Sequence, residues 1–477
     1  MKSGSLFLTL LAFAFEAPFV FAQTELRLTP DEYFDSPSIS VIVFNDPYSE
    51  GHQGGIQIIH HGERIAANGD LRLEATPGQW QAFSQLEGKT TDSLDQIITV
   101  SLTYPNEEAK NRRFNPVPYP DLEINYRVSV KAEGEDFRII VDLDRPLPKK
   151  WIGKVGFNLE LFPGSLFGKT YLMDEKPGVF PCQLNGPFTR GVQADTFEVV
   201  PMSIGNQLTI IPENEMQRIS IRTEVSKLQL IDARALHNNG WFVVRSLVPG
   251  GTGKGAVEWI VSPSVIEGWQ YGPVIHINQA GYLPKQSKKA LIEADKRFSG
   301  KPVVELVEIT TDGKERLVMS DTAQHWGRYQ RYNYFTFDFS GIQHEGVYFL
   351  RLGRVVSEIF RIAGNAYDRG IWQPTLEYFL PVQMCHMRIN EGYRVWHGLC
   401  HMDDARMAPL NHIHFDGYWQ DSSTLCDFRP MDHVPDLNVG GWHDAGDFDL
   451  RVESQGGTVY ALSLTYDAFS IHDHDAQ

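Results

Sequence analysis

The sequence predicts a multidomain chain: an N-terminal all-β sandwich, a small immunoglobulin-like β-sandwich, then a segment of helical periodicity. Three observations carry this. From Leu26 to Val265 apolar residues recur with period two in short runs broken by Gly, Pro, Asn and Asp. From Pro273 to Ala363 a second, shorter set of such runs follows. After Gly364 the spacing becomes helical, at Ile371, Trp372, Thr375, Leu376, Phe379 and Leu380, and again at Val459, Leu462, Tyr466 and Phe469.

Composition agrees with several packed domains. The 477 residues suit roughly three domains of ~150 residues. With 42 % hydrophobic and 22 % charged residues the chain is neither disordered nor a membrane bundle. Lysine and arginine number 43 against 60 aspartates and glutamates, a net charge of −17, which argues against nucleic acid or an anionic membrane as the main partner. The charge is uneven. Residues 365–477 hold 17 acidic and 6 basic side chains, no lysine, 9 of the 16 histidines and 3 of the 4 cysteines. The chemistry is expected there.

The first 22 residues read as an export signal: Lys2, an apolar core Leu6–Phe15, then Val20-Phe21-Ala22 before Gln23. Glu16 interrupts the apolar run, and a short uncleaved anchor is the alternative. No cysteine follows the cleavage point, so a lipid anchor is not expected there, and no other apolar segment reaches ~18 residues. The mature protein is expected to be soluble, in the periplasm or outside the cell.

Residues 23–270 form the first sandwich, an accessory domain without an assigned role. Its strands are expected at Ile39–Phe44, Ile56–His60, Ile97–Tyr104, Leu122–Lys131, Phe137–Leu143, Val155–Phe162, Leu208–Ile211, Ile219–Val225, Trp241–Leu247 and Val257–Val261, with no convincing helix. The glycine-rich run Pro249 to Gly255 is a turn or loop. Trp80, Trp151 and Trp241 are core residues or sugar-stacking platforms, and no catalytic spacing stands out. Residues 271–364 form the immunoglobulin-like unit, opening at Pro273–Tyr282, with strands at Ala290–Glu293, Val303–Ile309, Tyr334–Phe339, Gly346–Leu352 and Ser357–Ile362.

Between the two helical stretches of residues 365–477 lies a long connection, Cys385 to Glu453, rich in His, Asp, Gly and Trp. A connection of that length in a compact domain is usually functional. Its most informative part is Gly440-Gly441-Trp442-His443-Asp444-Ala445-Gly446-Asp447. The glycines permit a tight path that aims Asp444 and Asp447 at one point, where paired carboxylates can hold a water and take its proton. A calcium loop or an ordinary acidic turn is the plainer reading. Upstream, Cys385-x14-Cys400-His401-x41-His443 supplies two thiolates and two imidazoles, a closed tetrahedral shell for a structural zinc. A Cys385–Cys400 disulfide fits the same spacing in an exported protein.

From Gly440 through Asp447, Phe448 and Arg451 to Gly457–Leu462 the chain resembles the first motif block of family 9 glycoside hydrolases. Those are inverting enzymes, mostly endoglucanases and cellodextrinases, built on an (α/α)6 barrel. Ile277-Asn278-Gln279-Ala280-Gly281-Tyr282 is similar to the opening of the immunoglobulin-like module that precedes the barrel in one branch of the family. Leu399 to Ala405 is similar to that branch's zinc-binding segment. The three motifs stand in the family's order over residues 273–477. The resemblance implies that residues 365–477 begin an (α/α)6 catalytic domain, that Asp447 is the catalytic base and Asp444 the carboxylate orienting the attacking water, and that Cys385, Cys400, His401 and His443 bind zinc. It implies hydrolysis of a β-1,4-glucan or related polysaccharide with inversion.

Two departures are visible. The stretch from His401 to Gly440 is longer than the family pattern. The second carboxyl, the general acid, is a glutamate near the far end of the barrel in the family, and Glu377, Glu391 and Glu453 stand in no matching motif. The match covers the opening third of the catalytic domain or less. The rival reading is a non-catalytic carbohydrate-binding or scaffolding protein with a vestigial barrel stub. A reading frame that continues into a glutamate-bearing helical region would decide for the enzyme. Expressed alone, the 477-residue chain is expected to show no turnover on β-glucans. Hydrolysis that disappears in Asp447→Ala would reverse that expectation.

Overall fold

The computed structural model describes residues 24–45, 54–73, 82–111, 119–183, 188–190, 197–235, 240–329, 331–368, 370–371, 389–391, 394–396, 405–407, 427–436, 443, 450 and 452–469. They fall into two compact units, Met1–Trp269 and Gln270–Gln477.

The first unit is a sandwich of two nine-stranded antiparallel sheets. One sheet orders its strands Arg27–Leu28, Phe34–Asp35, Ile39–Val43, Ile56–His60, Glu63–Leu73, Val155–Leu161, Phe242–Leu247, Leu228–Asp232 and Ser203–Gly205. The other runs Lys176–Val179, Thr170–Met173, Gln207–Ile210, Ile219–Thr223, Val257–Pro263, Asp136–Leu143, Ile124–Glu133, Ile97–Tyr104 and Gln85–Asp92. Alternation decides the inner faces. Val155, Phe157, Leu159 and Leu161 point in from one sheet, Val257, Trp259 and Val261 from the other, all fully buried or nearly so. Each such side chain contributes about 1.5–3 kcal/mol by leaving water.

Trp259 is the centre of this core. Its ring meets Phe157 edge-on at 4.9 Å, and its indole N–H donates to Ser246 Oγ at 2.9 Å. A buried indole needs that partner. Trp151 and Trp241 are half-buried: Trp151 Nε1 donates to Asp121 O at 2.9 Å, and Trp241 packs edge-on against Phe162 at 4.7 Å. Trp80 lies outside the described residues. One short helix, Glu107–Lys110, is present where none was expected, capped by the Asn106 side chain accepting from Ala109 N.

The strand Glu63–Leu73 was not expected, because Asn68-Gly69-Asp70 reads as a turn. The chain instead makes a β-bulge there. Asn68 takes φ +56°, the register shifts, and the strand continues on to Leu73. The strand Gln85–Asp92 is polar almost throughout and sits at a sheet edge, where no apolar alternation is required.

The immunoglobulin-like part of the second unit has a four-stranded sheet, Val274–His276, Lys289–Asp295, Tyr332–Asp338 and Gln324–Tyr329 in spatial order. A second sheet is formed by Glu315–Thr322, Val303–Ile309, Gly346–Leu352 and Val355–Val356, with Phe360–Ile362 also on Gly346–Leu352. The expected strands are present. Glu315–Thr322 and Gln324–Tyr329 are additional, both edge strands with mostly exposed side chains. The Asn278–Tyr282 motif has a physical basis. Asn278 O accepts from Gly281 N at 2.9 Å, Gly281 sits at φ +93°, and a Cβ there would lie 2.6 Å from Arg361 O. That turn delivers Tyr282 into the core, where its N–H donates to Arg361 O.

Two histidines secure the end of the first unit. His61 and Gly62, at φ +45° and +80°, form the tight turn between Ile56–His60 and Glu63–Leu73. His60 Nε2 donates to Ser264 O at 2.9 Å, His61 Nδ1 donates to Met216 O at 2.8 Å, and Trp269 packs edge-on to His61 at 5.0 Å. Both imidazoles are buried, and burial holds His60 down at about 4. The folded state keeps His60 neutral, whereas the unfolded chain takes up a proton near pH 6.5. Stability from this group is therefore complete above pH 6.5 and falls as the pH drops toward 4, by on the order of 3 kcal/mol in total. His60→Gln keeps a donor for Ser264 and removes the titration. Hydrogen exchange of Val257–Pro263 in urea is expected to lose protection over that window in the wild type and to lose clearly less in the variant, where His61, also held down by burial, is left.

Candidate functional site

Of the site residues read from the sequence, Asp444, Asp447, Cys385, Cys400 and His401 lie outside the described residues. His443 is described, and it is only 1 % exposed. Among the described residues no group of three or more His, Cys, Asp or Glu is placed to hold a metal ion. The first helical stretch, after Ile371, is likewise outside the described residues.

What is described is the framework on which those residues are strung. Ile389–Glu391 pairs with Arg394–Trp396 as an antiparallel hairpin, with Ile389 opposite Trp396. Cys385 and Cys400 stand four residues beyond its two ends in sequence. Further on, Ala405 to Met407 runs antiparallel to Met431 to Val434. Val434 N donates to Ala405 O at 2.9 Å, Met407 N to Asp432 O at 2.9 Å and Met431 N to Met407 O at 2.8 Å. The Asp432 carboxylate accepts from Arg429 N at 2.8 Å while Asp432 N donates to Arg429 O at 3.0 Å, closing the turn that brings the chain back. Met431 and Asp436 take positive φ, +69° and +61°, on either side of the short ladder. The connection from His401 to His443 is thereby tied together near both ends, and Ala405 is buried at the tie.

After the octet comes the helix Val452–Phe469, as the apolar spacing required. Val459, Tyr460, Leu462, Leu464 and Tyr466 are all exposed along it. No helix among the described residues is long and apolar enough to cross a membrane.

A polar cluster that sequence reasoning passed over sits in the first unit, on the adjacent strands Glu63–Leu73 and Val155–Leu161. Asp70 and Glu160 are both buried. Tyr126 OH donates to Asp70 Oδ1 at 2.8 Å, Leu71 N donates to the same oxygen at 2.7 Å, and Asn68 Nδ2 donates to Glu160. Burial pushes both carboxyls above their ordinary range, against the pull of the Arg72 guanidinium, which lies 5.0 Å over the Phe83 ring. These bonds lock the Asn68-Gly69 bulge in place. The only sequence signal was the Asn-Gly-Asp triplet, whose ordinary meaning is a turn. Cys182, in the same unit, is exposed and unbridged.

Residues 270–357 match the family described as cellulase N-terminal ig-like domain. Over 221 residues the chain is 28 % identical to Endoglucanase D of Acetivibrio thermocellus, an alignment covering 45 % of this chain and 31 % of that protein. Endoglucanase D of a named strain of the same species is 27 % identical over 221 residues. The chain thus spans about a third of the length of these relatives. A metagenome-derived glycoside hydrolase family 9 endoglucanase of known structure is similar at 22 % identity with a TM-score of 0.33, covering 42 % of this chain and 34 % of that one. A Zn-binding triple mutant of the family 9 endoglucanase J30 is similar at 24 % identity with a TM-score of 0.30, over 39 % of this chain and 31 % of that one. The second unit begins, then, with an immunoglobulin-like domain of the cellulase type. The chain that carries it resembles family 9 glycoside hydrolases.

Proposed function

We propose that the protein is an exported glycoside hydrolase that cleaves β-1,4-linked glucan or a related polysaccharide with inversion at the anomeric carbon. One observation carries the reading: the 221 residues shared with Endoglucanase D are more than twice the span of the matched immunoglobulin-like domain, so the likeness runs beyond that module. The octet Gly440–Asp447 supplies the chemistry. In this reading residues 1–22 are the export signal, 23–270 the accessory sandwich, 271–364 the immunoglobulin-like domain and 365–477 the opening of an (α/α)6 catalytic domain.

Asp447 is the base and Asp444 its partner. A water held between them and the sugar loses its proton to Asp447 as it attacks. A carboxylic acid ~6.5–9.5 Å away protonates the departing glycosidic oxygen. No residue of this chain is assigned that second role. In the protein isolated from its source, Asp447→Asn is expected to lower kcat on β-glucan by at least ~10²–10⁴ with the fold retained. Proton NMR of freshly released reducing ends is expected to show the α-anomer first. Wild-type rates in the variant would remove Asp447 from the role, and β-anomer as the first product would exclude inversion.

Cys385, Cys400, His401 and His443 suit zinc in donor type and number, two thiolates and two imidazoles with no open position, so the ion is structural. Support for their convergence comes from the hairpin between the cysteines and from the backbone tie at Ala405–Val434 between the histidines. The buried His443 adjoins Asp444 in sequence, so an ion bound there anchors the loop that presents both aspartates. Metal analysis is expected to find close to one zinc per chain, lost in Cys400→Ser. Less than about half an equivalent, with a mapped Cys385–Cys400 bridge, would refute the site.

A further inference from the structure

On the outer face of the four-stranded sheet of the immunoglobulin-like unit four aromatic rings form a continuous strip. Trp326 and Tyr334 have ring centroids 6.2 Å apart, Tyr334 and Tyr332 6.4 Å, and Tyr332 and Tyr271 5.1 Å. Alternation separates them from the core. Phe335 and Phe337 of the same strand are buried inside, while Tyr332 and Tyr334 stand on the opposite face.

Trp326 is placed by a specific device. The ladder pairs His325 with Phe335 and Gly327 with Tyr334, so Trp326 is the extra residue of a β-bulge, and Gly327 takes φ +148° to make it. A bulge of this kind re-aims one side chain. Here it sets an indole 65 % exposed beside Tyr334. Single exposed apolar residues are ordinary, but a contiguous aromatic strip on a sheet face marks a binding surface.

The rings are also held in orientation. Glu293, directly opposite Tyr334 in the ladder, accepts the Tyr334 hydroxyl at 2.9 Å and bonds that of Tyr271. Burial and this carboxylate push both phenols up to about 12, so they remain donors. The Arg331 guanidinium lies 5.4 Å over Tyr332.

The chemistry selects the occupant. The carboxylates of this face are matched within it: Asp295 with Arg297 at 2.7 Å, Asp338 with Lys289 at 3.9 Å, and Glu293 with the two phenols. With Arg331 over Tyr332 and His276 3.8 Å from Glu293, groups of both signs are interspersed, and no patch of one sign is offered to an anionic or cationic partner. Aromatic faces alternating with hydrogen-bonding groups fit a neutral ligand with apolar ring faces and a hydroxyl rim. We infer that this strip is a binding site for a β-linked glucan chain, formed by residues other than those given the hydrolytic role. The choice of glucan among neutral polysaccharides rests on the function proposed above.

The test is affinity electrophoresis of the whole chain, carrying Asp447→Asn, through gels containing hydroxyethyl cellulose, a neutral β-1,4-glucan. Dextran, α-linked, is the control. Retardation by hydroxyethyl cellulose alone is expected. Trp326→Ala is expected to weaken it about tenfold, the effect of losing one desolvated stacking ring. Trp326→Tyr is expected to keep most of it. Because Trp326 is mostly in solvent, the melting temperature is expected not to move in either variant. Three results would each overturn the inference: no retardation of the parent, equal retardation of Trp326→Ala, or a change in oligomeric state in Trp326→Ala without a change in retardation. Failure of the hydrolase reading shows elsewhere, as activity in the native protein that ignores Asp447→Asn.

Discussion

Everything in the first unit depends on two sheets sharing one dry interior. Phe157 and Trp259 meet edge-on in it, and the rows of Val, Ile and Leu on either side extend that contact over the central strands of each sheet. Such a core imposes period two on every central strand, since a slip by one residue would send a whole row of apolar side chains to the other face. The constraint relaxes outward. Edge strands such as Gln85–Asp92 are held by their backbone ladder to Ile97–Tyr104, not by side-chain burial.

That gradient explains how much of the architecture was legible in the sequence. Central strands such as Ile97–Tyr104 and Val155–Leu161 declare themselves because burial dictates their pattern, although Leu228–Asp232, interior and buried, was not expected. Edge strands do not, and Gln85–Asp92, Glu315–Thr322 and Gln324–Tyr329 were invisible to periodicity for that reason. Asn68-Gly69-Asp70 misleads for another reason. Local preference there favours a turn, and the ladder to Val155–Leu161 together with the bonds of Asp70 and Asn68 overrides it. Composition could not distinguish Trp259, which is buried, from Trp151 and Trp241, because the answer depends on which face of which strand each occupies.

The candidate site was legible in a different way. Its motif is chemical, read from residue types and their spacing and not from a periodic apolar pattern. What the structure adds is two backbone pairings in the sequence between these positions: a hairpin between the cysteines, and a short ladder within the His401–His443 connection. Closing a loop of that length has an entropic cost that rises only slowly with added residues, so the unusual length of this connection is tolerable once its ends are tied. The tie depends on the turn closed by Asp432. The helix Val452–Phe469 keeps valine, leucine and tyrosine exposed, so burial contributes little to it among the described residues.

The chain holds two pairs of carboxylates, and burial alone does not say which pair reacts. Asp70 and Glu160 are the more perturbed in environment, both pushed up by desolvation, and perturbation of this kind is a common sign of a catalytic group. Their hydrogen bonds point the other way. Asp70 Oδ1 already accepts from Tyr126 and Leu71, Glu160 accepts from Asn68, and Arg72 offsets the charge of both. A base needs a lone pair free toward water, whereas these oxygens are committed to the protein that surrounds them. Asp444 and Asp447 fall among Gly440, Gly441 and Gly446 in the sequence, and Asp444 follows a histidine that is itself buried. Asp70 and Glu160, built into adjacent strands, fasten the fold, and it is to Asp444 and Asp447 that the proposed function gives the chemistry.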